Sequence, residues 1–152
     1  MLSRQDLTDI IRGLVPETEF PEGTQLLEAV VPAEKLFSLV EKLKSDPKTA
    51  FNYLISLTAV DFLTHITVVY HLDSTEFRHL VVLKSVIADR ENPTIDSITE
   101  LYSTAEYFER EVFDLFGIRF NNHPNMKRLF LEDDYGHPLR KDFRDEINII
   151  ER

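Results

Sequence analysis

Several residue types that carry chemistry in other proteins are missing or scarce in this chain. Its 152 residues contain no cysteine and only four glycines. The absence of cysteine excludes disulfides, thiol nucleophiles and cysteine-ligated zinc or iron–sulfur centres. No two glycines lie close enough to form the phosphate-binding loops that recognise NAD or ATP. The sequence therefore shows no visible means of binding NAD or ATP phosphates, and no cysteine that could ligate an iron–sulfur cluster.

Long apolar runs and basic patches are also lacking. The longest apolar runs, such as residues 80–83, are far too short to cross a bilayer. The N-terminal sequence MLSRQDLTDI resembles neither a signal peptide nor a transit sequence. The formal net charge of -10 disfavours binding to nucleic acid or to anionic lipid. We therefore expect a cytoplasmic protein without direct membrane insertion, which reaches a membrane only through partner proteins.

Alternating helix and strand periodicities fill the first 118 residues. Apolar spacing predicts helices that begin near Ser3, Pro32 and Thr104, and strands over 25–31, 53–61, 66–72 and 77–86. The element order α-β-α-β-β-β-α predicts an α+β fold. We expect a two-layer domain with helices on one face of a mixed sheet, followed by an extended irregular C-terminal tail.

The predicted division is an α+β domain over residues 1–118 and an extended arm over residues 119–152, together forming one structural domain. Acidic residues dominate the first part, whereas acidic and basic residues are balanced in the arm. Pro124 and Pro138 restrict the backbone before them, and Gly136 permits unusual conformations. Such an arm either lies over a partner protein or packs on its own domain, and the local sequence favours neither.

The last predicted helix, over residues 104–116, concentrates charged side chains. Two interpretations apply to them: a carboxylate pair for general acid–base catalysis, or a solvated outer face. The second is favoured because most charged runs on helices are solvated. Ser103 and Glu106 have capping-box spacing, and Gly117 is a natural end for the helix. The charged residues are Glu106, Glu109, Arg110, Glu111 and Asp114.

The five histidines do not indicate a metal site. None of them shows the spacing of a known ligand motif, and strand or loop histidines are more often ordinary polar residues. A nucleophile elbow is absent as well. The histidines are His65, His71, His79, His123 and His137.

Three motifs in the last third of the chain resemble a known family. Residues 109–118 read EREVFDLFGI, residues 123–124 are His-Pro, and residues 136–142 read GHPLRKD. Together with a T-A-V-D sequence that ends at Asp61, they resemble the C subunit of the proton-pumping NADH:quinone oxidoreductase, respiratory complex I. The matching residues are Glu109, Arg110, Glu111, Phe113, Asp114, Leu115, Phe116, Gly117, Ile118, His123, Pro124, Arg128, Gly136, Pro138, Leu139, Arg140, Lys141 and Asp142.

The resemblance implies a peripheral-arm subunit without catalytic, cofactor-binding or metal-binding residues. The matching residues would then form a family signature and partner interface. Iron–sulfur clusters, flavin and quinone are expected in partner subunits, chiefly a quinone-pocket subunit (D type) and a cluster-bearing subunit (B type). The implied location is the cytoplasmic face of the inner membrane, where the chain is held through the complex.

Two other functions stay open at this point. Related signatures occur in membrane-bound, energy-converting hydrogenases, in which this chain would be the equivalent subunit. An independent small hydrolase would instead use Glu109 or Glu111 together with His123.

Overall fold

A computed structural model describes residues 2–124 and 136–140 of the chain. Three helices and six strands are formed within these ranges. The helices are α1 (Arg4–Leu14), α2 (Ala33–Ser45) and α3 (Ala105–Phe116). The strands are β1 (Glu28–Val30), β2 (Tyr53–Asp61), β3 (Ile66–Asp73), β4 (Leu80–Ile87), β5 (Thr94–Asp96) and β6 (Arg119–Asn121).

The main sheet has four strands in the order β1-β4-β3-β2. β1 pairs with β4 in parallel, whereas β4 with β3 and β3 with β2 pair antiparallel. The predicted α+β fold with a mixed sheet is thereby confirmed. β4, which is apolar on both faces in the sequence, lies in the interior of the sheet as expected.

One face of the sheet forms the core of the protein. Ile66, Val68, Tyr70 and Leu72 alternate along β3 and are fully buried, as their spacing predicts. Apolar residues from all three helices belong to the same buried cluster. α2 contacts β4 and α3 contacts β2, so the helices cover this face of the sheet.

β2 departs from the predicted alternation because it contains a β-bulge. The pairing register with β3 shifts between Leu54 and Ser56. As a result Leu54 and Leu57 are both buried, whereas Tyr53 and Ile55 are exposed. Strict alternation predicts that Tyr53 and Ile55 share a face with Leu57, and an extra residue at a bulge breaks that period.

The helix ends show one confirmed and one wrong prediction. Ser3 caps α1, and the Asp6 side chain returns the bond in a full capping box. The capping box predicted at the start of α3, between Ser103 and Glu106, is not formed. The N-cap of α3 is Thr104, whose backbone is helical and whose side chain makes no capping hydrogen bond.

β5 and β6 form a second, two-stranded parallel sheet. The sequence predicts a loop over 88–94, a helical turn at Asp96 and an irregular tail from residue 119. The structure instead pairs Thr94–Asp96 with Arg119–Asn121, and buries Ile95 and Phe120 in the core cluster. Three-residue strands are too short to show a period. The division into 1–118 and 119–152 stays a prediction, because most of the second part lies outside the described residues.

Candidate functional site

Residues 136–140 pack against the C-terminal end of α3. The last carbonyl groups of a helix have no partners within the helix. His137 Nδ1 lies 2.9 Å from the carbonyl oxygen of Asp114. The Leu139 N–H donates to the carbonyl oxygen of Leu115 at 2.9 Å. Arg140 Nη1 donates to the carbonyl oxygen of Phe116 at 3.0 Å. This part of the predicted arm therefore packs on its own domain and caps the helix.

Gly117 allows this close contact. It ends α3 in the left-handed conformation with φ of 79°, as its position in the sequence predicts. A Cβ atom at residue 117 would lie 2.8 Å from His137 Cδ2. Glycine is therefore required both for the backbone conformation and for the space that the imidazole ring occupies.

A buried ion cluster joins the end of β2 to the same segment. The Asp61 carboxylate is almost inaccessible and accepts two bonds from Arg90, Nε to Oδ1 at 2.8 Å and Nη2 to Oδ2 at 2.6 Å. Arg140 Nε lies 3.7 Å from Asp61 Oδ2, and Arg140 Nη2 donates to the Arg90 carbonyl oxygen at 2.7 Å. Asp61 Oδ1 also accepts the N–H of Leu63 at 2.9 Å. One carboxylate thus organises the β2–β3 turn, the 88–94 loop and the 136–140 segment.

Arg90 is not recognisable as a site residue from the sequence alone. It lies in a stretch that reads as a polar loop, and its partner is 29 residues away in the chain. No periodic signal connects two such positions. The T-A-V-D sequence at Asp61 belongs to the family resemblance, but nothing in it identifies the arginine that it binds.

Glu109 is fully buried rather than solvated. Its Oε2 accepts the N–H of Ile98 at 2.9 Å, and its Oε1 lies 3.9 Å from His123 Nε2. His123 Nε2 also lies 3.1 Å from the carbonyl oxygen of Glu106. Burial raises the pKa of Glu109 to about 7, although hydrogen bonds from Ser97 and Ile98 act in the opposite direction.

The interpretation of α3 as a solvated charged face is wrong for two of its residues. Glu109 and Asp114 are both fully buried, whereas Glu106, Arg110 and Glu111 are partly exposed. α3 is therefore a helix with two buried carboxyl groups. Helical spacing alone cannot distinguish such a helix from one with a solvated face, because buried charge is rare and depends on partners distant in sequence.

The other signature residues divide into buried, partly buried and exposed positions. Phe116 and the His123 side chain are buried in the chain. Pro124 and Leu139 are exposed. Arg128, Lys141 and Asp142 lie outside the described residues, so their predicted roles stay predictions. The partly buried positions are Arg110, Glu111, Phe113, Gly117, Gly136, Pro138 and Arg140.

A cavity of about 400 Å³ lies beside the 136–140 segment. Its polar lining includes Glu91, Arg119 and His137, and the Arg119 guanidinium lies 5.7 Å from the centre of the Phe113 ring. Neither Glu109 nor His123 is among its lining residues. The carboxyl–imidazole pair that a hydrolase would need is thus brought together, but away from this cavity. Within residues 2–124 and 136–140, no group of three or more acidic or histidine side chains could hold a metal ion.

Comparison with known proteins identifies the family. A family described as "Respiratory-chain NADH dehydrogenase, 30 Kd subunit" matches residues 29–147. The NADH-quinone oxidoreductase C subunit of Moorella thermoacetica is 44% identical over 137 residues, covering 88% of this chain and 90% of that protein. A combined C/D subunit of the same enzyme from Phocaeicola vulgatus is 42% identical over 120 residues, covering 78% of this chain but 23% of that longer protein.

A solved structure supports the same assignment. It is the membrane-bound sulfane sulfur reductase, described as an archaeal respiratory membrane complex. One of its chains superposes with a TM-score of 0.78 at 28% identity, covering 94% of this chain and 86% of that chain.

The fold and the site define a small α+β protein in which three charged residues of the described signature, Asp61, Glu109 and Arg140, make contacts within the chain. This chain belongs to the family of respiratory-chain NADH dehydrogenase 30 Kd subunits. The resemblance to the C subunit of complex I is thereby confirmed. Among the described residues, no helix has the length and apolar character needed to cross a membrane.

Proposed function

We propose that this chain is a non-catalytic structural subunit in the peripheral arm of a complex I-type oxidoreductase. The observation that carries the proposal is that several of the family's signature charges, among the described residues, are engaged inside the chain. Asp61 binds Arg90 and lies close to Arg140, and Glu109 lies against His123 in the core. Such residues maintain a shape, whereas catalytic residues must reach a substrate.

The cofactors of the complex belong to other subunits in this proposal. The chain contains no cysteine to ligate an iron–sulfur cluster. Iron–sulfur clusters are therefore assigned to partner subunits, and the family resemblance places flavin and quinone there as well. The proposed location of the chain is the cytoplasmic face of the inner membrane, where these partners hold it.

A D-type subunit is proposed as the principal partner and a B-type subunit as the second. Proteins named as combined C/D subunits occur in Phocaeicola vulgatus and in Bacteroides thetaiotaomicron, and this chain covers 23% and 24% of their lengths. A single polypeptide that combines C and D parts keeps them at high effective concentration. This favours a direct contact between the equivalent separate chains.

The outer face of the main sheet is the proposed contact surface. Val60, Thr67 and Val86 lie in one row across β2, β3 and β4, opposite the core face. Val60 and Val86 are exposed, and so are Phe62 and Leu63 in the adjoining turn. We call Val60, Phe62, Leu63 and Val86 the outer apolar patch. Contiguous apolar side chains on a surface mark sites that another protein covers.

Leu63 is the most informative member of the outer apolar patch. It is 56% exposed and has a φ of 72°, a conformation that leucine rarely adopts. A left-handed backbone costs a non-glycine residue about 1–2 kcal/mol. A glycine or asparagine would suit the isolated chain better, so leucine at this position indicates a contact outside the chain.

Leu63→Asp is expected to reduce assembly without unfolding the chain. Aspartate tolerates the left-handed conformation and the position is exposed, so the isolated variant should keep its free energy of unfolding. Binding to the complex should fall about tenfold or more, as for a central interface residue. The measurement is the amount of this chain that co-purifies with the cluster-bearing subunits, alongside urea unfolding of the isolated variant.

Leu26→Asp is the matched control. Leu26 is 39% exposed and precedes β1, at the opposite edge of the sheet from β2. It should leave assembly at the wild-type level. Equal losses for both variants, or no loss for Leu63→Asp, would remove the outer apolar patch from the proposal.

An equivalent subunit of an energy-converting hydrogenase is the second candidate. The observation that favours a complex other than an NADH dehydrogenase is the superposition on a chain of a sulfane sulfur reductase complex, whose name mentions neither NADH nor a hydrogenase. The neighbouring reading frames distinguish the two candidates. Nickel-ligating cysteine pairs in the large partner subunit would favour the hydrogenase.

A further inference from the structure

The Glu109 carboxyl lies in a closed region between α3, the residues after β5 and the residues after β6. Its Oε2 accepts the Ile98 N–H, and Ser97 contributes a further hydrogen bond. Its Oε1 accepts no hydrogen bond from the described residues. The His123 imidazole lies beside it, with Nε2 3.9 Å from Oε1. Both side chains are fully shielded from solvent.

The Tyr70 hydroxyl belongs to the same region. Tyr70 is fully buried on β3, and its Oη forms no hydrogen bond within residues 2–124 and 136–140. Burial, followed by the charges of Glu109 and Asp96, raises the pKa of Tyr70 well above its ordinary value. Glu109 Oε1 and Tyr70 Oη are thus two buried polar atoms without a hydrogen-bond partner among the described residues, which calls for an explanation.

We propose that Glu109, beside His123, forms a buried proton-binding site, in which one proton taken from solvent resides on the Glu109 carboxyl. Only an O–H bond forms or breaks. The uncharged carboxylic acid can donate a hydrogen bond, which a carboxylate cannot. This inference does not depend on the proposed function, because it concerns the isolated chain.

The surrounding groups favour uptake of the proton. A buried carboxylate with few hydrogen bonds is costly, so desolvation favours its protonated form. The titratable groups that contact or influence Glu109 and Tyr70 are His123 after β6 and Asp96 on β5. Asp96 adds negative charge near Tyr70, and the Glu106 carbonyl oxygen on α3 lies 3.1 Å from His123 Nε2. His123 supplies the compensating positive charge when it is protonated.

Carbon-13 NMR of the isolated chain, labelled at glutamate side-chain carboxyls, tests the proposal. We expect one glutamate to titrate with a midpoint of about 7, well above the value of 4.5 for an ordinary glutamate. Glu109→Gln should remove this signal, whereas Glu111→Gln, on the same helix but partly exposed, should leave it. His123→Asn should change the midpoint, because the ring that lies 3.9 Å from Oε1 is replaced.

The free energy of unfolding, measured as a function of pH, provides a second test, because the direction of its change can be predicted. The folded chain binds this proton more tightly than the unfolded chain does, since the folded pKa is the higher one. The stabilisation is therefore complete below pH 4.5 and is lost as the pH rises through about 7. Glu109→Gln should lose this part of the pH dependence. Titration of every glutamate in wild-type protein below about pH 5.5 would overturn the proposal, whether or not the variants fold.

Discussion

Replacement of Asp61 with asparagine is expected to lower the free energy of unfolding by about 3 kcal/mol or more. The carboxylate is buried and accepts two bonds from Arg90, and Arg140 lies within 4 Å. Asparagine has nearly the same shape but no charge. It would leave two largely buried guanidinium groups without their anion. An uncompensated buried charge destabilises a protein by more than the intact ion pair stabilises it.

Urea unfolding of the isolated chain at neutral pH measures this effect. The slope of the free energy with urea should be unchanged, because the fold is the same and only its stability falls. Asp73→Asn is the matched control: Asp73 ends β3, is partly exposed and forms no ion pair with the described residues. It should change stability by less than about 0.5 kcal/mol. A loss below about 1 kcal/mol for Asp61→Asn would show that Asp61 does not organise the cluster.

Gly117→Ala is expected to destabilise the chain by about 2–3 kcal/mol. The left-handed backbone accounts for about 1–2 kcal/mol of this loss. The remainder arises because a methyl group would lie 2.8 Å from His137 Cδ2, so that the ring must move. Its hydrogen bond to the Asp114 carbonyl oxygen would then be weakened, at about 1 kcal/mol.

Gly13→Ala should have the opposite effect and raise the free energy of unfolding. Gly13 lies within α1, and no atom would lie within 4 Å of a Cβ at this position. Alanine in a helix is favoured over glycine by about 0.5–1 kcal/mol, so this variant should be more stable than wild type.

A His137→Ala substitution should reduce the destabilisation caused by Gly117→Ala, since the clash with the imidazole ring disappears. Additive effects of these two changes would contradict the proposed contact.

The sequence predicts well those elements that are long enough to show a period. β3 is an example, because its four alternating apolar residues are enough to assign one of its faces to the core. Gly117 and Ser3 are predicted for a related reason, since the ends of helices have local residue preferences. Each of these predictions depends on residues within one or two turns of each other.

The features that the sequence does not predict depend on contacts between distant parts of the chain. Arg90 is recognisable only through Asp61, and the burial of Glu109 only through Ile98 and His123. β5 and β6 are each stabilised by the other and are too short to be recognised alone. The motif residues are recognisable because they resemble a family, but their roles within the fold follow only from their contacts.

The structure decides between the two interpretations of the GHPLR segment, which the sequence leaves open. Proline, glycine and a basic residue in an aperiodic stretch are compatible with an arm that reaches a partner. His137, Leu139 and Arg140 instead engage three successive carbonyl groups at the end of α3. Leu139 nevertheless exposes its side chain. The segment can therefore cap the helix and still present an apolar residue to another subunit.

Purification of the membrane complex through a tag on this chain tests the central claim most directly. The polypeptides that remain bound in mild detergent are identified and quantified by mass spectrometry. We predict a D-type and a B-type subunit in amounts equal to this chain, with the iron–sulfur clusters and quinone reductase activity present only in the assembled complex. Recovery of the chain alone, while the D-type and B-type subunits assemble without it, would contradict the account.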